Sequence, residues 1–110
     1  MESTRQKKVA RLLQKEIGGI LQQKAVELGG KLITVTKVRM SPDLSVAKIY
    51  LSFFPVQKDN DPLVPVKEHI PQIRHELGNK VRNQLRIVPE LAFFIDDSLD
   101  YIEKIENLLK

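Results

Sequence analysis

The chain has 110 residues, no cysteine and a formal net charge of +4. That length suits one domain spanning 1–110 with a single core, and the missing cysteines exclude disulfides and thiolate metal sites. No apolar run approaches the ~20 residues of a membrane span, and no apolar stretch follows the N-terminal charges as in a secretory leader, so a soluble cytoplasmic protein is expected.

In chain order, Thr4 to Leu28 reads as a long amphipathic helix. Val9, Leu12, Leu13, Ile17, Ile20, Leu21 and Leu28 recur at three- and four-residue spacing and form one apolar stripe. Lys24 falls on that stripe, which predicts loosening of the last turns. Gly18-Gly19 predicts a close-packing or bending point, and Gly29-Gly30 a helix end. A first strand follows from Lys31 to Met40. Its alternation changes phase between Ile33/Val35 and Val38/Met40, so the strand either bulges near Thr36-Lys37 or is covered on both faces. A turn over Ser41-Pro42-Asp43-Leu44-Ser45 leads into a second strand, Val46 to Phe54, in which Ala47, Ile49, Leu51 and Phe53 share one face.

Pro55 to Asp61 reads as a polar loop. The next helix starts at Asp61-Pro62 or at Pro65, turns Val66 and Ile70 inward, and is interrupted by Pro71, which lacks an amide donor. A second helical piece carries Ile73, Leu77, Val81 and Leu85 on one face and is stopped by Pro89. A third strand runs from Leu91 to Asp96 with Leu91, Phe93 and Ile95 alternating. A short final helix from Asp97 or Ser98 would bury Leu99, Ile102, Ile105 and Leu109. The result is an α+β domain with helices on one face of a small, three-stranded mixed sheet.

Charge is unevenly spread. Arg5, Lys7, Lys8, Arg11, Lys15, Lys24, Lys31, Lys37, Arg39 and Lys48 load the first half, whereas Glu90, Asp96, Asp97, Asp100, Glu103 and Glu106 dominate the tail. Lys7, Lys8, Arg11 and Lys15 share the polar face of the first helix with few acidic partners in reach. Arg74, Arg82 and Arg86 cluster on one side of the piece beyond Pro71, while Glu76 and Lys80 stand at ion-pairing spacing. Taken alone, both basic sets read equally as solvated surface.

Two stretches carry a sharper signal: Ser41-Pro42-Asp43-Leu44-Ser45-Val46-Ala47-Lys48-Ile49-Tyr50-Leu51-Ser52 and Leu85-Arg86-Ile87-Val88-Pro89-Glu90-Leu91. With the element order and the basic first helix, they make nearly the whole chain resemble the ribosome-binding factor A family. That resemblance implies a KH-type (type II) fold. It implies a non-enzymatic, monomeric assembly factor that binds free 30S ribosomal subunits and 16S ribosomal RNA, with roles in late maturation, 16S 5′-end processing and cold adaptation. It also implies RNA contact by Lys7, Lys8, Arg11, Lys15, Arg74, Arg82 and Arg86. KH domains clamp backbone at a turn between two helices. The family carries an alanine-any-glycine kink there, and His69-Ile70-Pro71 occupies those positions in this chain. A KH-like module for another RNA, or a protein-interaction domain using the acidic tail, are the rival readings.

The remaining groups read as structural. His69 and His75 are wrongly spaced for paired metal ligands, Asp96-Asp97 suits a helix cap, and Phe53, Phe54, Phe93 and Phe94 suit a core with one ring of each pair exposed. No catalytic, metal or cofactor motif stands out, so no cofactor is expected.

Overall fold

A computed structural model describes residues 2–55 and 61–96. It contains α1 (Thr4–Gln23), β1 (Leu32–Met40), β2 (Val46–Phe54), α2 (Leu63–Glu68), α3 (Ile70–Val81) and β3 (Glu90–Ile95). This is the α+β order expected from the sequence. The final helix expected after Asp96 and the interior of the loop after Pro55 lie outside the described residues.

Ser3 opens α1 through a reciprocal capping box. Its Oγ accepts from the Gln6 amide at 3.1 Å, and its own amide donates to Gln6 Oε1 at 2.7 Å. The helix buries Val9, Ala10, Leu13, Ile17, Ile20 and Leu21. It ends at Gln23 rather than Leu28, because Lys24 reaches the buried stripe and cannot stay there as a bare charge. Its ammonium turns out to Glu76 at 3.2 Å and Glu27 at 3.9 Å. The chain then winds through turns that still bring Leu28 into the core, and Gly29 and Gly30 close them with φ of +109° and +75°. α1 continues without a break through Gly18-Gly19, and an added Cβ there would meet nothing within 4 Å. The pair is therefore no close-packing point.

The sheet order is β1-β2-β3, with β1 antiparallel and β3 parallel to β2. A register shift between Val35 and Lys37 makes Thr36 the extra residue of a bulge. The bulge restores phase, so Ile33, Val35, Val38 and Met40 all face the core despite their spacing. Ala47, Ile49, Leu51, Phe53, Leu91 and Phe93 complete that face. Ile95, expected with them, is instead exposed at the end of β3.

α1 packs on β1, α3 on α1, and α2 on β3. Two glutamines fasten α1 to its strand: Gln6 Nε2 donates to the Met40 carbonyl at 3.0 Å and Gln14 Nε2 to the Val35 carbonyl at 3.2 Å. Pro62 is the N-cap of α2 rather than its first helical residue, and the Asp61 carboxylate, one residue earlier, accepts from the Leu63 amide at 2.9 Å. Pro65 sits within the first turn of α2, where a missing amide costs no helical bond. α2 and α3 are separated by His69, and Pro71 lies at the start of α3. Val66, Ile73, Leu77 and Val81 are fully buried from this pair, each worth about 1.5–3 kcal/mol relative to exposure.

Candidate nucleic-acid interface

Helical spacing places Lys7, Lys8, Arg11 and Lys15 on the side of α1 away from its buried stripe, and all four are exposed. None of them joins an ion pair among the described residues. Lys7 also enters a groove of about 700 Å³ where α1 meets the end of the sheet. Arg39 and Lys48 share this groove, with Glu2 its one acidic lining residue. Neither strand cation was among the binding candidates read from sequence. Their alternation out of the core face of β1 and β2 was the available signal.

The arginines beyond the kink do not form one helical flank. α3 stops at Val81, well short of Pro89, so Arg82 caps the helix and Arg86 stands in the following loop. Helical periodicity runs on to Leu85 because a turn, with the Gln84 and Leu85 amides both bonded to the Val81 carbonyl at 2.8 Å, still directs Leu85 inward. Arg74 is committed elsewhere. Its Nη2 donates to the Val88 carbonyl at 3.0 Å and its Nε to the Pro89 carbonyl at 3.3 Å, tying the loop to the helix. Gly78, one turn on, admits that loop: a Cβ built on it would lie 3.3 Å from Val88 Cγ2. Arg82 and Arg86 remain exposed.

At the kink, the His69 ring nitrogen Nδ1 lies 2.8 Å from the Pro65 carbonyl, and the Ile73 amide is bonded to the His69 carbonyl at 2.9 Å. Ile73 thus opens the regular bonding of α3, while Pro71 contributes no donor. The expected Glu76–Lys80 pair is absent, because Glu76 instead holds Lys24 at the end of α1. That link straps the kinked pair to the first helix and leaves Lys80 exposed.

The two diagnostic stretches meet in space. The Glu90 amide donates to the Ser45 carbonyl at 2.8 Å, and a groove of about 220 Å³ between them is lined by Asp43, Leu44, Arg86 and Ile87, with Arg5 from α1. The turn is held by its own side chains. Asp43 Oδ1 accepts from Ser45 Oγ at 2.7 Å, Ser41 Oγ at 2.8 Å and the Ser45 amide at 3.1 Å. These bonds, led by Ser45, lower the Asp43 pKa to about 2 from 3.8. Leu44 takes φ of +63°, an unusual conformation for a leucine, and packs against the core.

The remaining groups are partnered or packed. The Thr36 hydroxyl donates to the Asp96 carboxylate, and the Asp96 amide bonds the Leu51 carbonyl at 2.8 Å. Phe53 and Phe93 are buried, whereas Phe54 and Phe94 are exposed, as the strand alternation predicts. Among the described residues no group of three or more His, Cys, Asp or Glu could hold a metal ion, and no helix is long and apolar enough to cross a membrane. The arrangement offers exposed cations on α1, β1, β2, α3 and the loop after it, which suits a polyanion.

Comparison with known proteins bears on the family and the fold. The family model for ribosome-binding factor A matches residues 5–109. The ribosome-binding factor A of Flavobacterium johnsoniae is 50% identical over 99% of this chain and 85% of its own length. That of Cytophaga hutchinsonii is 46% identical over 99% and 83%, and that of Chlorobium phaeobacteroides 38% identical over 98% and 93%. Among solved structures, the crystal structure of ribosome-binding factor A from Thermus thermophilus superposes with a TM-score of 0.68 at 23% identity, covering 82% of this chain and 94% of that one. A Thermus thermophilus homology model fitted into the cryo-EM map of a 30S complex gives a TM-score of 0.63 at 25% identity, covering 78% and 89%.

Proposed function

The chain belongs to the ribosome-binding factor A family, and on that premise we propose that it is a non-enzymatic factor that binds the 30S ribosomal subunit through 16S ribosomal RNA. It acts on free subunits rather than translating ribosomes, in the cytoplasm and as a monomer, and assists late maturation including processing of the 16S 5′ end. Demand for it rises in the cold.

The observation that carries this reading is the uncompensated basic face of α1, where Lys7, Lys8, Arg11 and Lys15 stand exposed without carboxylate partners among the described residues. These cations contact phosphate, as do Arg82 and Arg86. Arg74 acts mainly by holding the loop that presents Arg86. Phosphate contacts position the protein without reading sequence, and binding energy alone holds an immature RNA segment until its mature contacts form. No bond is made or broken.

Sedimentation of tagged protein through a sucrose gradient tests the reading. Co-migration with free small subunits is expected, and migration with polysomes overturns it. Affinity for purified subunits should fall steeply with salt, with a log–log slope of about −0.7 per single-stranded phosphate contact. Lys8→Glu with Arg11→Glu should weaken binding without loss of helical signal. Recovery of subunit components that survives nuclease treatment points instead to a protein-docking domain.

A further inference from the structure

Among the described residues α1, α2 and α3 all pack on one side of the sheet, and the opposite face carries no helix. That face has an ordered chemistry. Arg39 and Lys48 stand directly opposite each other in the β1–β2 register, and Lys48 is followed across the sheet by Ala92. In the next row Lys37, Tyr50 and Phe94 lie side by side. Leu32 and Phe54 pair at the far end and are 58% and 68% exposed.

Two cations directly across a ladder repel each other, and a strand pair does not place them there for its own stability. No ion pair among the described residues relieves them. The carboxylates of this face are Glu90, at the start of β3 opposite Val46, and Asp96, which is bonded to Thr36. Lys37, Arg39 and Lys48 therefore leave a positive surface that an anion would complete. The groove shared by Lys7, Arg39 and Lys48 makes this surface continuous with the basic face of α1.

The aromatic row supplies the second half of the argument. The Tyr50 and Phe94 rings stack with centroids 5.4 Å apart and 27° between planes, and Lys37 Nζ lies 5.6 Å from the Tyr50 centroid. Lys37 comes from β1 and Phe94 from β3, on opposite sides of β2, so Tyr50 is flanked on both sides. Among the described residues Phe94 lies on an outer strand, is 41% exposed and ends the stack, with a ring available to a further planar group. An exposed ring beside a cationic row suits an unpaired nucleobase whose flanking phosphates run toward Arg39 and Lys48.

We propose that the open sheet face is a second RNA site: a single-stranded segment stacks a base on Phe94 and lays its backbone on Lys48 and Arg39. Tyr50 and Lys37 are positioning residues that hold the Phe94 ring upright. This inference rests on the RNA-binding function proposed above and adds to it a preference for unpaired RNA. A duplex keeps its bases stacked internally and offers the ring nothing.

The test uses the full chain, a single-stranded oligouridylate, and the same backbone with abasic residues, read by fluorescence anisotropy. Wild type should prefer the uridylate. Phe94→Leu keeps an apolar side chain and should weaken uridylate binding about 5-fold or more while leaving abasic binding unchanged. Arg39→Gln with Lys48→Gln should weaken both probes and flatten the salt slope by about 1.4, the share of two contacts. Benzoylphenylalanine placed at position 94 should cross-link to ribosomal RNA in purified small subunits. Equal affinity of wild type for the two probes, or of Phe94→Leu and wild type for the uridylate, overturns the proposal. So does a cross-link to a ribosomal protein, a second copy, or the chain's own residues 97–110. Co-sedimentation with subunits that persists alongside those outcomes leaves the proposed function standing, whereas loss of wild-type co-sedimentation removes that function itself.

Discussion

Replacing Arg74 with glutamine removes both side-chain bonds that tie the α3–β3 loop to its helix. Hydrogen bonds to a charged group are worth about 1.5–3 kcal/mol each where they are shielded. Here the guanidinium is exposed, and its Nε bond to Pro89 is long at 3.3 Å. Screening by water reduces the sum, so a loss of about 1–2 kcal/mol is expected. With a urea slope of about 1–2 kcal/mol per molar, the unfolding midpoint should fall by about 1 M. Arg74→Lys keeps the charge but has one donor centre for two carbonyls, and should recover roughly half of the loss. Unfolding followed by far-UV circular dichroism, with subunit binding measured on the same samples, checks both variants. A glutamine variant that unfolds at the wild-type midpoint would refute the tether and leave the loop held by Val88 and Pro89 packing. If that variant also bound subunits more weakly, Arg74 would be a direct RNA contact.

Gln6→Leu strands the buried Met40 carbonyl and breaks the capping box, and should cost about 2 kcal/mol in urea unfolding. Pro71→Ala should change stability by no more than about 1 kcal/mol, because proline at the start of a helix forfeits no internal bond. It should nonetheless weaken subunit binding, and unchanged binding would mean that packing alone sets the kink. The Asp43 pKa is lower folded than unfolded, so its contribution is complete above about pH 4 and lost as pH falls through about 2. Asp43→Asn should accordingly show a shallower fall in stability over that acid window than wild type.

What the sequence disclosed and what it hid divide along physical lines. Local periodicity located β2 to the residue, and the phase change within β1 left a bulge near Thr36-Lys37 or two-sided burial open, of which the strand register shows the bulge. Pro71 and the glycines at 29 and 30 marked breaks because their constraints are intrinsic to the backbone. Periodicity misled at helix ends: Leu28 and Leu85 stay in phase with their stripes while turns, not helix, carry them inward. Contacts across the chain left no local trace. The partner of Glu76 is Lys24 rather than Lys80, and Arg74, though exposed, grips a loop. Gln6, a polar residue amid an exposed-looking first turn, is buried because a carbonyl 34 residues away receives it. Among the candidate binding residues, the α1 cations were legible from helical spacing. Arg39 and Lys48 became visible as a pair only once the strands were in register.

The two glutamine bonds from α1 have a bearing on solubility. Among the described residues β1 is an outer strand of the sheet, with β2 on one side only. Outer strands with unoccupied carbonyls are templates on which another chain can add a strand, and sheets that expose them are prone to fibrous growth. Gln6 and Gln14 engage the Met40 and Val35 carbonyls, one on either side of the bulge, and Lys37 and Arg39 add charge to the same strand. An incoming strand would have to displace a docked helix, accept a kinked ladder and bury two cations. The fastening that seats the basic helix thus also guards the protein against self-association.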